Sequence, residues 1–359
     1  MHTLRFAAWS LLLLAPASAG AETPLRMNDI VAVGTHNSYK LAMPAAHMAR
    51  LHAGDPAQAQ ALDYAHRPLA EQLDRGARQL ELDVNFDPDG GHYAAGSTDA
   101  ELALPGFKVL HIPAIDNASS CVRLMVCLQM ILDWSNAHPE HVPILLMFNA
   151  KDDQNAARGG VDALRFTTQA FDALDAEVRS VVPAHKLITP GDVQGEHPTL
   201  RDAVLAGNWP TLDQARGQLM FALDEGPDKV AMYRGQRRSL EGRVFFVNTD
   251  EDSPAAAYLT LNDPVGQRER IARAVQAGFI VRTRADAETR EARANDTRRR
   301  DQALASGAQY ISTDYLWAEP RFSPSYTVGL PGGVAATCNP VRRPDNCSSE
   351  DLERINAVR

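Results

Sequence analysis

Short apolar runs that end abruptly in polar side chains recur along the chain. Residues 30–39 read IVAVGTHNSY. Four strand-type residues lead to Gly34, and Thr35, His36, Asn37 and Ser38 follow at once. Residues 79–84 (QLELDV) alternate, which sets Glu81 and Asp83 on one face and Leu80, Leu82 and Val84 on the other. The same reading predicts strands at 107–112 (FKVLHI), 142–151 (VPILLMFNAK), 218–224 (QLMFALD), 243–248 (RVFFVN), 278–284 (GFIVRTR) and 309–314 (QYISTD). Helical periodicity falls between several of these, at 44–78, 161–182, 263–277 and 286–306, and a turn-rich connection runs from Thr189 to Leu212.

Eight strands joined by helical or long crossovers predict an α/β fold, a closed (β/α)8 TIM barrel. A doubly wound sheet would announce itself by a glycine-rich dinucleotide turn, and no G-x-G-x-x-G follows any strand. In a barrel the alternation at 79–84 aims both carboxylates into the lumen and the leucines outward under helices. From Ser323 the chain turns rich in Gly and Pro. The expected division is a leader at 1–21, a barrel at 22–322 and a C-terminal extension at 323–359.

The leader rests on Arg5, the apolar run 6–14 and small residues before a cut after Ala19 or Ala21. It places the protein outside the cytoplasm, secreted or periplasmic. No Cys lies near the cut, so a lipoprotein anchor is not expected. Export makes the four cysteines readable as disulfides, and proximity favours Cys121–Cys127 and Cys338–Cys347 among three connectivities. The formal charge of -9 argues against a broad electrostatic grip on nucleic acid or an anionic bilayer. The run 298–300 (RRR) reads as a solvated helix face, and Trp134, Trp209 and Trp317 as packing residues. A monomer with at most transient membrane contact is expected.

The polar groups at the ends of the first four strands are His36 and Asn37, Glu81 and Asp83, His111, and Asn149 with Lys151. The oxygen donors Asn37, Glu81, Asp83 and Asn149 suit Ca2+, or Mg2+, rather than zinc. The two histidines are left as acid, base or charge stabiliser. Taken singly, each residue also has a structural reading: ion pairs for Glu81 and Asp83, a satisfied barrel histidine for His111, a solvated strand end for Lys151.

The order GTHNSY, QLELDV, VLHI and a strand ending in NAKDD resembles the X-type catalytic barrel of phosphoinositide-specific phospholipase C, above all its secreted bacterial, calcium-dependent branch. FIVRTRAD and QYISTDY resemble the last two strands of that superfamily, and LITPGDVQG, TLRDAV and NWPTLDQARGQLMFALD also resemble the calcium-dependent branch. The resemblance spans roughly residues 27–320. It implies that His36 and His111 are the catalytic pair and that Asn37, Glu81 and Asp83 hold Ca2+. Asn149 stands where such enzymes commonly carry a glutamate, which implies a weaker calcium cage. Lys151 is expected to face the substrate phosphate or the carboxylates. Arg282 and Arg284 are candidates for phosphate or headgroup contact, unless one is tied to a barrel carboxylate. Asp224 is a further substrate-side candidate. The implied reaction is attack of the inositol 2-hydroxyl of a phosphoinositide on its own phosphorus, giving a cyclic inositol phosphate and diacylglycerol. Glu81 or a histidine takes the first proton. A glycerophosphodiester phosphodiesterase is the nearest alternative, although those enzymes open with His-Arg-Gly where this chain has His-Asn-Ser. A catalytically weakened barrel that binds headgroups is the other.

Overall fold

The computed structural model describes residues 24–322 and 326–355, so the leader expected at 1–21 lies outside the described residues. In chain order the strands are β1 (Ile30–Thr35), β2 (Gln79–Asn85), β3 (Lys108–Val109), β4 (Ile144–Lys151), β5 (Leu187–Ile188), β6 (Leu219–Leu223), β7 (Phe245–Val247), β8 (Tyr258–Thr260), β9 (Ile280–Arg284), β10 (Tyr310–Thr313) and β11 (Ala336–Cys338). They form a five-stranded sheet, β11-β1-β10-β9-β8, and a six-stranded one, β3-β2-β4-β6-β5 with β7 on β6. All pairings among β1, β10, β9 and β8, and among β2, β4, β6 and β7, are parallel.

Two seams close these sheets into a barrel of eight parallel strands. At one, β7 meets β8 through a parallel bridge between Asn248 and Tyr258. At the other, Arg78 N donates to Val33 O at 2.8 Å and Ser38 N to Glu81 O at 2.9 Å, so the residues beyond β1 complete its pairing with β2. Gly34 makes that approach possible. A Cβ there would lie 2.3 Å from the Gln79 carbonyl oxygen.

One strand of the predicted set is misplaced. Residues 107–112 do not supply a barrel strand; the short β3 pairs antiparallel with the end of β2, Val84 opposite Val109. A parallel return needs a crossover, usually helical, and between β2 and β3 the chain offers only a single 3-10 turn, Ala100–Ala103. The missing barrel strand is β8, within the alanine-rich stretch Ala255–Leu261, whose low side-chain bulk hid it.

The helices follow the apolar periodicity more closely than the expected bounds. Helix Leu124–Ala137, not anticipated, buries Leu124, Cys127, Leu128, Ile131 and Trp134 along one stripe. Helix Thr168–Val181 is shorter than 161–182, and the last stretch is broken into Arg290–Ala294 and Arg298–Ala305 by Asn295 at a left-handed φ of 50°. The connection from Thr189 to Leu212 holds three short helices, each opened by a threonine whose hydroxyl caps a backbone N–H: Thr189, Thr199 and Thr211. Of the basic run only Arg298 is exposed, and it pairs with Asp296; Arg299 donates to the carbonyls of Arg284 and Asn262, and Arg300 to that of Thr327.

Both favoured disulfides are present, Cys121–Cys127 and Cys338–Cys347. The extension lays β11 antiparallel on β1 and reaches the base of the barrel, where Glu353 accepts from the buried Arg78 guanidinium and from Val142 N at 2.8 Å. Trp209 is fully buried, Trp134 stacks on His138, and Arg67 lies 4.6 Å over Trp317. Among the described residues no helix is long and apolar enough to cross a membrane.

Candidate active site

Parallel register fixes which side chains share the lumen. Asp83 sits opposite Asn149 and Glu81 opposite Met147, while Arg282 pairs with Thr260 on one side and Tyr310 on the other. Partners in a ladder point to the same face, so β2, β4, β8, β9 and β10 deliver Glu81, Asp83, Asn149, Thr260, Arg282 and Tyr310 to one interior. The expected inward aim of both carboxylates holds.

Glu81 is the hub. Its Oε1 accepts from Asn149 Nδ2 at 2.9 Å, its Oε2 from Arg282 at 2.5 Å, and its Oε1 lies 3.8 Å from His36 Nε2. Burial pushes its carboxyl up to about 7, against the opposing pull of Arg282. Arg282 is 1 % exposed and spans the lumen, bonding also to Ser312 Oγ at 2.9 Å and Asn262 Oδ1 at 2.5 Å. Both arginines are tied to barrel carboxylates, Arg282 to Glu81 and Arg284 to Asp314, and Arg282 is the more deeply buried of the two, its side chain 1 % exposed against 14 % for Arg284. Asp83 pairs with Lys151 at 3.6 Å, and Lys151 also reaches Asp153 at 3.4 Å. Those carboxylates, Asp83 first, hold the ammonium charged well above the usual range despite its burial.

Each histidine is gripped at Nδ1 by a carboxylate. His36 Nδ1 lies 2.9 Å from Asp314 Oδ1, and His111 Nδ1 lies 2.8 Å from Asp116 Oδ2. With the Nδ1 proton held this way, Nε2 carries the reactive lone pair or proton. Burial and then Arg284 push His36 down to about 3, against the upward pull of Asp314. Arg284 Nη2 itself bonds Asp314 at 3.2 Å, and its Nε donates to the Asp286 carbonyl at 3.0 Å. His36 stacks on Tyr64, whose hydroxyl accepts from Asn37 Nδ2 at 2.8 Å. Asn37 holds a left-handed φ of 47° in the turn that follows β1. His36 and His111 remain 18 % and 17 % exposed at their side chains, open to the mouth of the barrel.

The structure thus gathers His36, Glu81, Asp83, Asn149, Lys151, Arg282 and Arg284 around one lumen, with Asn37 in the turn beside His36, bonded to Tyr64. His111 enters differently, on the segment after β3, where Leu110 N donates to Asp83 O at 3.3 Å. Asp224 directly follows β6, next along from Asn149: its N donates to Phe148 O at 2.9 Å, its Oδ1 accepts from Asn248 Nδ2 at 3.1 Å, and burial raises its pKa. Asp314, Asp116 and Tyr64 were missed by sequence reasoning. Asp314 closes the run QYISTD and was legible as a strand end, whereas Asp116 and Tyr64 sit in irregular segments with no periodic signal.

Among the described residues no group of three or more His, Cys, Asp or Glu side chains is placed to hold a metal ion. Of the two candidate amides, Asn149 lies beside Glu81, while Asn37 spends its Nδ2 on the Tyr64 hydroxyl. Two carboxylates with two amide oxygens form an all-oxygen set, which fits a hard divalent cation of modest affinity.

Solved structures with the same fold include a Ca2+-dependent phosphatidylinositol-specific phospholipase C from Streptomyces antibioticus, at 20% identity and TM-score 0.53, covering 81% of this chain and 95% of that one. A calcium-dependent phosphoinositol-specific phospholipase C from Pseudomonas sp, described as a myoinositol complex, matches at 19% identity and TM-score 0.55, covering 88% and 96%. No curated protein matches the chain. The family model described as phosphoinositide phospholipase C, Ca2+-dependent, matches residues 25–340, nearly all of the described chain, and the protein belongs to that family.

Proposed function

We propose that this phosphoinositide phospholipase C cleaves phosphatidylinositol by intramolecular attack, with His36 as base and His111 as acid. The observation that carries the reading is the pair of carboxylate-held imidazoles, His36–Asp314 and His111–Asp116, facing a lumen whose floor is Glu81. His36, with its Nδ1 proton held by Asp314, takes the proton of the inositol 2-hydroxyl at Nε2. The hydroxyl oxygen bonds to phosphorus and the bond from phosphorus to the glycerol oxygen breaks. His111 Nε2 gives its proton to that departing oxygen. Asp314 and Asp116 fix each ring's tautomer and favour the imidazolium form where it arises. Arg284, beside His36, is the guanidinium best placed to meet phosphate charge. Arg282 acts behind it, holding Glu81 in place.

Asn37, Glu81, Asp83 and Asn149 would hold Ca2+, with Lys151 giving up its contact to Asp83. When bound, the ion supplies Lewis-acid polarisation of the phosphate and the hydroxyl. Cys121–Cys127 and Cys338–Cys347 suit an oxidising compartment, in keeping with secretion or a periplasmic location.

The test compares phosphatidylinositol with an analogue whose leaving group is a good one, such as an aryl or thiol ester of inositol phosphate. His111→Ala should lose at least about 10²-fold on the lipid and recover most of that on the activated analogue. His36→Ala should lose a similar factor on both. Equal losses for His111→Ala on the two substrates would remove it as the acid. Turnover unaffected by a chelator would remove the metal assignment, and cleavage of neither phosphatidylinositol nor glycerophosphoinositol would favour a headgroup-binding barrel.

A further inference from the structure

Lys40 stands out among the charged groups that this mechanism leaves unused. Its side chain is completely buried, as is that of Asp116, and the two approach to 3.3 Å. The ammonium has three protons to place. They meet Asp116 Oδ2, the Tyr64 carbonyl at 2.9 Å and, more distantly, the Leu41 carbonyl at 3.5 Å. A buried lysine is costly unless it is matched in this way, and the matching groups adjoin both histidines. Asp116 Oδ2 is the same oxygen that holds His111 Nδ1, while Asp116 Oδ1 is buried without a partner. Lys40 Nζ also lies 4.8 Å over the ring of Tyr64, whose hydroxyl is 3.3 Å from His36 Nδ1.

The backbone reinforces the link. Lys40 bridges Ser119 in antiparallel fashion, Leu41 N donates to Ala118 O at 2.9 Å and Ser120 N to Tyr39 O at 2.8 Å. The loop that carries Asp116 is pinched by bonds in both directions between Ile112 and Asp116, with Ala114 at a left-handed φ of 65°. One residue of the turn after β1 thus touches the groups that orient both histidines.

We propose that Lys40 is a positioning residue for the phosphodiester cleavage: its ammonium fixes Asp116 against His111 and seats Tyr64 beneath His36, setting the separation of the two imidazoles. The proposal rests on the reading of His111 as the acid. Removing the ammonium leaves Asp116 a buried carboxylate bound only by His111, free to rotate about its side chain, and loosens the Tyr64 segment.

The experiment uses the purified protein and the variants Lys40→Met, Asp116→Asn and the double variant. Two readouts are taken: steady-state kinetics on phosphatidylinositol, and the downfield NMR resonance of a hydrogen-bonded His111 Nδ1–H, assigned by its absence in His111→Ala. The expected result is a fall of about 10-fold or more in kcat for Lys40→Met with KM within about twofold. The His111 resonance broadens or disappears, as it does in Asp116→Asn. The double variant turns over like Asp116→Asn alone, because both act through one ring. A folded Lys40→Met with unchanged kcat and an unchanged resonance overturns the proposal. Should Lys40→Met not fold, the double variant, with neither buried charge, carries the test. Its rate then equals that of Asp116→Asn, and a further 10-fold fall below it overturns the shared action. If the resonance is lost in Lys40→Met while His111→Ala stays fully active, the acid assignment fails, and Lys40 is shown to orient the His111 ring but not to serve the cleavage through it.

Discussion

At the scale of single residues, the site shows how one amide tunes a charged cluster. Asn149 spends its NH2 on Glu81 at 2.9 Å and brings no charge of its own. Replacing it by Glu adds a carboxylate beside Glu81 and Asp83, whose existing partners are Arg282 and Lys151. Without metal the added repulsion destabilises the fold, and with metal the extra ligand tightens the cage. Asn149→Glu should therefore lower the melting temperature in chelator and enlarge the rise on adding Ca2+, through a dissociation constant lower by about 10-fold. Calorimetric titration of the two proteins decides it, and an unchanged dissociation constant would take Asn149 out of the metal site.

His141 makes a residue-scale prediction away from the site. It is 1 % exposed, with Nε2 2.7 Å from Ser135 Oγ and Nδ1 2.7 Å from the Val142 carbonyl. Burial pushes its pKa down to about 4 from an ordinary 6.5. The folded form holds the ring neutral while the unfolded chain protonates it, so its contribution is complete above pH 6.5 and is lost as pH falls toward 4. The loss is at most about 3 kcal/mol. Denaturant titrations between pH 7 and pH 4 should show a shallower decline for His141→Gln than for the parent. Parallel declines would exclude His141 as a source.

At the scale of elements, the seam between β1 and β2 decides whether the first polar cluster meets the second. Gly34 sits where a Cβ would strike the Gln79 backbone and side chain, the nearest atom 2.3 Å away. Gly34→Ala should cost about 3 kcal/mol, and because it separates His36 from Glu81, the surviving folded protein should also lose kcat. Full activity per folded molecule would show that the seam tolerates the strain. The same element explains what could be read in advance. Residues 30–39 announce themselves by an apolar run that stops at polar groups and 79–84 by alternation, so His36 and Asn37 were legible as a strand end and Glu81 and Asp83 with their shared face. Residues 107–112 carried an equally good pattern, and the error there was topological: β3 runs antiparallel because no helix precedes it. His111 survives the error because its place depends on standing beside Asp83, whichever way the strand runs. Arg282 and Arg284 share a strand face in sequence, yet their roles divide by depth, the inner one meeting Glu81 and the outer one Asp314. Depth along a barrel axis leaves no mark in a period-2 pattern. Asp116, Lys40 and Tyr64 belong to irregular segments, where residue type is all the sequence offers.

At the scale of the whole molecule, the chemistry gathers at one end of the barrel and a C-terminal clasp at the other. Arg78 precedes β2 at its buried start, with Arg78 and Glu353 side chains 3 % and 12 % exposed. Its guanidinium bonds Glu353, the Leu73 carbonyl at 2.8 Å and the Ala77 carbonyl at 2.7 Å, and lies 4.8 Å over Trp134. Removing one partner of such a pair strands the other, so Glu353→Gln should cost about 3 kcal/mol. Replacing both, Arg78→Met with Glu353→Gln, removes the stranded charge and should recover much of that loss, since the Met stem can still pack on Trp134. The clasp lies below the sheet while the imidazoles lie above it, so turnover per folded molecule should be unchanged in both variants well below their melting temperatures. Denaturant unfolding and active-site-normalised kinetics on the three proteins separate the outcomes. A double variant no more stable than Glu353→Gln would mean that the clasp acts through Val142 and the backbone rather than through the ion pair. A change in kcat would mean that the extension reaches the mouth through β1, on which β11 lies.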